Sequence, residues 1–134
     1  MKRKSTYTIL IVSILIMTIG VFGYQKFLKP FYQNNQNQTQ EINLKVNSNL
    51  SFGKSIDQQS VYGIEIEIKG TTNSIFDLSI SNGEQIVHGA SIKNGEIDFA
   101  YKNDWYTDSC ILHFNSREDK AGNLEVNCRF LAID

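Results

Sequence analysis

Hydrophobic residues follow two regimes along this chain. Residues 7–24, YTILIVSILIMTIGVFGY, form one apolar run without a charge, whereas apolar and polar positions alternate from residue 41 onward. Ile42, Leu44, Val46, Leu50 and Phe52 share one parity. Ile64, Ile66 and Ile68 alternate with Glu65, Glu67 and Lys69, and Phe76, Leu78 and Ile80 with Asp77, Ser79 and Ser81. A period of two is the mark of a half-buried strand. Strands recur roughly every ten residues with turn signals between them, and no helical period follows residue 41. The pattern predicts an all-β fold, a small antiparallel β-sandwich or a small β-barrel, preceded by an N-terminal hydrophobic helix.

Turn residues sharpen the pattern. Asn82-Gly83 and Asn94-Gly95 each sit between alternating segments, a hairpin signal because type I′ turns need positive φ. The first hairpin sets Leu78 against Val87; the second sets Ile92 against Ile97 and Ala90 against Phe99. These registers put opposite parities of residues 84–92 on the apolar face, so a β-bulge is expected within one residue of Gly89. A third hairpin, turning about Asp119, brings Cys110 opposite Cys128, Leu112 opposite Val126 and Phe114 opposite Leu124. His113 then meets Glu125 on the other face. Directly opposed Cβ atoms lie about 5 Å apart, near the separation a disulfide requires. Closing Cys110 to Cys128 would stabilise a small domain by about 3 kcal/mol in the chain-entropy model.

The apolar run is long enough for a helix to span most of a hydrocarbon core about 30 Å thick. Lys2, Arg3 and Lys4 precede it, and Tyr7, Phe22, Tyr24 and Phe27 cluster at its ends. These residues favour a signal anchor with a cytoplasmic N-terminus. The chain therefore divides into a basic cytoplasmic tail (1–6), a transmembrane helix (7–24), a polar spacer (25–40) and an all-β extracytoplasmic domain (41–134). The expected location is the cell membrane, single-pass, with the domain outside; cleavage near Gly23 would instead give a secreted or periplasmic protein. Two cysteines fit an oxidising compartment.

Charge narrows the choice of partner. The chain carries 13 Lys and Arg against 14 Asp and Glu, with three of the basic residues ahead of the apolar run. No basic stripe is present to release phosphate counterions, so no nucleic-acid partner is expected. The candidate ligand-binding cluster is Asp98, Tyr101, Asp104, Trp105, Tyr106 and Asp108, which combines the single Trp with two Tyr and three carboxylates. Exposed aromatic faces beside acidic acceptors suit a sugar, a peptide or a cationic group. Alternatively, Trp105 plugs one end of the fold and the aspartates solvate a turn. His88 and His113 suggest no metal site, no cofactor is implied, and no catalytic motif is found. The sequence favours a membrane-anchored or exported binding or accessory module that contacts a protein or glycan partner. The alternatives are a structural subunit of an envelope or surface assembly, or an exported hydrolase; a pilin-like subunit lacks the expected Gly-Phe site followed by Glu.

Overall fold

A computed structural model describes residues 2–28, 33–119 and 121–133. Residues 29–32 of the expected spacer, and the side chains of the basic tail, lie outside the described residues. The chain divides into two compact units, Met1–Gln33 and Asn34–Asp134.

In the first unit, helix α1 (Lys2–Gly23) continues into a π-helical turn at Tyr24–Leu28. The apolar stretch Tyr7–Leu28 is 22 residues long, about 33 Å at the helical rise. None of it is buried among the described residues. Two of its hydroxyls are satisfied within the helix: Ser13 Oγ donates to the Ile9 carbonyl (2.9 Å) and Thr18 Oγ1 to that of Ile14 (2.8 Å). A polar atom in an apolar surrounding needs such a partner.

The second unit holds eight strands: β1 (Gln36–Leu44), β2 (Asn47–Gly53), β3 (Ser60–Thr72), β4 (Phe76–Ser81), β5 (Ile86–Ile92), β6 (Gly95–Asp104), β7 (Ser109–Ser116) and β8 (Gly122–Ile133). Their pairing is nested: β1 with β8, β2 with β7, β3 with β6, and β4 with β5, all antiparallel. The chain is thus one long ribbon that doubles back at the β4–β5 loop. Rolling that ribbon sets β8 beside β3 and β7 beside β4. Two four-stranded sheets result, ordered β1-β8-β3-β6 and β2-β7-β4-β5. This is the jelly-roll form of the β-sandwich, not a closed barrel.

The alternation read from sequence fills the space between the sheets. Ile64, Ile66 and Ile68 from β3 meet Phe76, Leu78 and Ile80 from β4, with Leu112, Phe114, Leu124, Val126 and Phe130 completing the core. Each such side chain, fully buried, contributes about 1.5–3 kcal/mol relative to exposure. The Phe76 and Phe114 rings lie 5.9 Å apart. Gly70 and Gly122 let β3 and β8 approach closely at one end. A Cβ on Gly122 would stand 2.1 Å from the Thr71 carbonyl oxygen.

Several expectations are corrected. The hairpin about Asp119 does not form, because β7 and β8 belong to opposite sheets. Cys110, Leu112 and Phe114 still face the same interior as Leu124, Val126 and Cys128, but across the core. Alternation decides which face a residue takes and leaves its neighbouring strand open. The Asn94-Gly95 segment likewise passes between sheets, so Ile92 and Ile97 are not ladder partners. The first Asn-Gly site makes a four-residue loop. Asn82 Oδ1 accepts the backbone N–H groups of Glu84 (3.0 Å) and Gln85 (2.9 Å), and Leu78 pairs with Ala90 rather than Val87. The bulge falls on Val87, since Ile80 pairs with His88 and Ser81 with Ile86. Gly89 lies in regular ladder opposite Ser79.

The expected spacer also ends early. β1 begins at Gln36, and the N–H of Asn34 already donates to the Ala132 carbonyl (2.9 Å). Apolar burial holds the end of this strand at Ile42 and Leu44, and amide chemistry holds its beginning. Gln38 Nε2 and Gln40 Nε2 donate to the carbonyls of Gly53 (2.5 Å) and Ser51 (3.2 Å) on β2, the edge of the other sheet. Buried Gln58 finishes that end of the roll, donating to the carbonyls of Asn34 (2.6 Å) and Phe130 (3.0 Å).

Candidate functional site

The six residues read as a ligand cluster separate into three places. Trp105 is a core residue, 4% exposed, with its ring N–H donated to the Ser109 carbonyl (3.1 Å). It plugs the end of the roll and offers no aromatic face to solvent. Its neighbour Tyr106 is 77% exposed. In the same turn Asp108 pairs with Lys54 (3.1 Å), while Asp104 ends β6 opposite Gly63. Asp98 points outward from β6 opposite Lys69, and Tyr101 points inward opposite Ile66.

Tyr101 belongs to the gap between the edge strands β5 and β6. His88 lies 4.8 Å from the Tyr101 ring and 6.4 Å from that of Phe99, and Asn103 Nδ2 donates to the Tyr101 hydroxyl (3.1 Å). His113 stands on the outer face of the second sheet, its Nδ1 2.9 Å from Asn49 Oδ1. The expected His113–Glu125 pair is therefore absent, because Glu125 sits in the other sheet. No group of three or more His, Cys, Asp or Glu among the described residues is arranged to hold a metal.

Register assembles a different surface, which the sequence reading missed. On the outer face of the first sheet, Asn37, Arg129, Glu65 and Lys102 form one row across four strands. Thr39, Asn127, Glu67 and Ala100 form the next, followed by Glu41, Glu125, Lys69 and Asp98. Glu65 organises the first row. Lys102 Nζ donates to its Oε1 at 2.5 Å, and Arg129 Nη2 donates to its Oε2. These two hydrogen bonds, that from Lys102 foremost, hold the Glu65 carboxyl below its ordinary pKa despite partial desolvation. In the second row the Thr39 hydroxyl donates to Asn127 Oδ1, whose amide donates to Glu125 Oε1 (3.1 Å).

Shallow hollows of about 270 and 290 Å³ flank Glu65, one bordered by Asn37, Asn127 and Arg129 and the other by Tyr101 and Lys102. A larger one, about 520 Å³, opens over Gly70 between Glu41, Asn43, Asn123 and Glu125. The face presents dense, pre-ordered donors and acceptors. Its signal in the sequence was the polar parity of β3; finding the rest required knowing that β1 and β8 lie beside it.

No protein-family model matches the chain, and no curated protein matches its sequence. Similar solved structures share the fold. One comes from Bacillus endospore appendages, described as a family of disulfide-linked pili: TM-score 0.54, 8% identity, covering 76% of this chain and 88% of that one. The coat protein of Tobacco streak virus gives a TM-score of 0.50 at 12% identity, covering 76% and 86%. Dimeric latent PorU from Porphyromonas gingivalis gives 0.50 at 7% identity, where the match covers 76% of this chain but 13% of that much longer one. At these identities the likeness is one of architecture, and fold alone does not carry function.

Proposed function

We propose that the protein is a membrane-anchored module that displays its jelly roll outside the cytoplasm and works by surface contact with a protein or glycan partner. The observation that carries this reading is helix α1. Its apolar side chains find no cover among the described residues, and a hydrocarbon layer is the surrounding that such a surface favours. Lys2, Arg3 and Lys4, ahead of its apolar stretch, favour a cytoplasmic N-terminus. The contact surface is the polar outer face of the first sheet around Glu65, Asn127 and Arg129.

Cell fractionation with alkaline carbonate extraction, followed by protease treatment of intact cells, tests the anchoring. The expected result is a carbonate-resistant chain whose β domain is cut from outside. A chain released by carbonate with its N-terminus intact overturns the anchor, and a shortened N-terminus after Gly23 assigns secretion instead. Glycan-array and crosslinking capture with Arg129→Ala and Asn127→Ala then tests the contact face; capture unchanged by both substitutions would remove it.

A second reading, a structural subunit of a surface assembly, is favoured by strand β5. Residues 85–92, QIVHGASI, contain no charge and no proline, and β5 pairs on one side only, with β4. Edge strands usually carry such guards against pairing with another chain, and β5 has only its bulge at Val87. The fold likeness to a subunit of pili is in keeping with this reading. Self-association of the full chain that is abolished by Ser91→Lys would favour it over the binding module.

A further inference from the structure

The cysteines take part in neither reading above, yet both lie in the buried core of the β unit. Cys110 lies on β7 of the second sheet opposite Phe52; Cys128 lies on β8 of the first sheet opposite Ile66. Both are free thiols and both are 0% exposed. The chain has no other cysteine. Both side chains enter one core from opposite sheets, and the neighbouring Cys110 thiol together with burial drives the Cys128 thiol far above its ordinary pKa. Since the thiolate is the reactive form, the pair is chemically silent once the roll has closed. A redox partner can reach these sulfurs only while the sheets are still apart.

We infer that Cys110 and Cys128 become covalently joined from sheet to sheet during folding, and that closure of the roll then seals the bond from solvent. This deepens the proposed function and rests on it, because the bond needs an oxidising compartment. The oxidant is a thiol–disulfide oxidoreductase or a small disulfide such as oxidised glutathione. The Cys110 thiolate attacks its disulfide, forming a mixed disulfide and releasing one oxidant thiol. The Cys128 thiolate then attacks the Cys110 sulfur and expels the second. The cysteine pair loses two electrons and two protons, and the oxidant's disulfide is reduced to two thiols.

A bridge of this kind differs from one between neighbouring strands. It ties the two layers at mid-core, so the ribbon cannot unroll without breaking it. It also records the surroundings in which the chain folded, since neither reductant nor oxidant reaches it afterwards.

The test uses the full chain recovered from cell membranes and a maleimide-polyethylene glycol label read by gel shift. The expected outcome has three parts: no label on the folded chain, none after unfolding in guanidinium, and label at both positions when reductant is added to the unfolded chain. Reductant applied to the folded chain and removed before unfolding should leave both positions unlabelled. Label taken up by the unfolded, unreduced chain overturns the bridge, as does a disulfide-linked dimer on a nonreducing gel. Protease treatment of intact cells separates the two proposals. Free thiols in a domain cut from outside overturn the bridge and leave the anchoring intact, whereas a bridged chain shielded from protease overturns the anchoring alone.

Discussion

The side-chain amide of Gln38 spans from one sheet to the other, donating to the Gly53 carbonyl at 2.5 Å. With Gln40 and Ser51 it closes the β1/β2 side of the roll by hydrogen bonds, beside the apolar contacts of Ile42, Leu44, Leu50 and Phe52. Gln38→Ala and Gln40→Ala should each destabilise the domain by about 1 kcal/mol in urea unfolding, the usual net worth of such a bond. Gln58→Leu should cost more, about 1–3 kcal/mol for each group orphaned, because the buried Phe130 carbonyl and the Ser55 N–H both lose this partner. If Gln58→Leu unfolds at the wild-type midpoint, the amide stitching is not structural.

The close approach of β3 and β8 predicts a sharp asymmetry among glycines. A methyl group on Gly122 meets backbone at 2.1 Å, whereas one on Gly89 finds ordinary contact at 3.9 Å from the Leu78 carbonyl oxygen. Gly122→Ala should cost about 3 kcal/mol or more, because two strands must separate to admit it. Gly89→Ala should stay within about 0.5 kcal/mol. Thermal melts of the two variants side by side check this, and equal melting temperatures would contradict the close packing.

Acid stability should depend on Glu65. Its folded pKa is depressed by Lys102 and then Arg129. The stabilisation from this group is therefore fully present above the unfolded carboxylate value, about 4.3, and is lost as pH falls through the lower folded value. Urea midpoints should show no contribution from Glu65 to pH dependence between neutral and about pH 5, and a loss below about pH 4. Glu65→Gln should flatten that acid limb, and an unchanged limb would show that the Lys102 and Arg129 bonds do not persist in solution.

Trp105 and Tyr106 should respond in opposite ways. Trp105→Ala empties a core position and should cost about 3–5 kcal/mol, so any partner binding it loses reports unfolding. Tyr106→Ala should leave stability within about 0.5 kcal/mol. Circular dichroism melts run alongside partner capture distinguish the two effects.

The strands were legible because their inner residues keep strict parity: Ile64 to Ile68, Phe76 to Ile80, Leu112 and Phe114, Leu124 and Val126. Turn positions were legible, since Gly83 and Gly95 do take positive φ, +95° and +116°, but neither site makes the hairpin expected of it. Pairing was not. A ladder neighbour and a residue across the core demand the same parity, so Cys110 and Cys128 look alike in a hairpin and in a sandwich. The first half of β1 was hidden for another reason. Ile42 and Leu44 were legible, but the inward positions before them, Gln36, Gln38 and Gln40, read as solvent-loving until their partners are known: Asp57 and Ser55 for Gln36, and the β2 carbonyls for Gln38 and Gln40. The outer-face cluster followed the same logic, because Glu65 and Arg129 are 64 positions apart and meet only through the register of β3 with β8.

The nested pairing has a mechanical consequence. The domain's first and last strands run side by side, and the Asn34 N–H is bonded to the Ala132 carbonyl at 2.9 Å. Tension entering the domain at Asn34 therefore loads the β1–β8 ladder before any other part of the roll. That ladder and the glutamine ties to β2 are the fuse that yields first, and a covalent tie between the layers would keep the remaining seven strands from following.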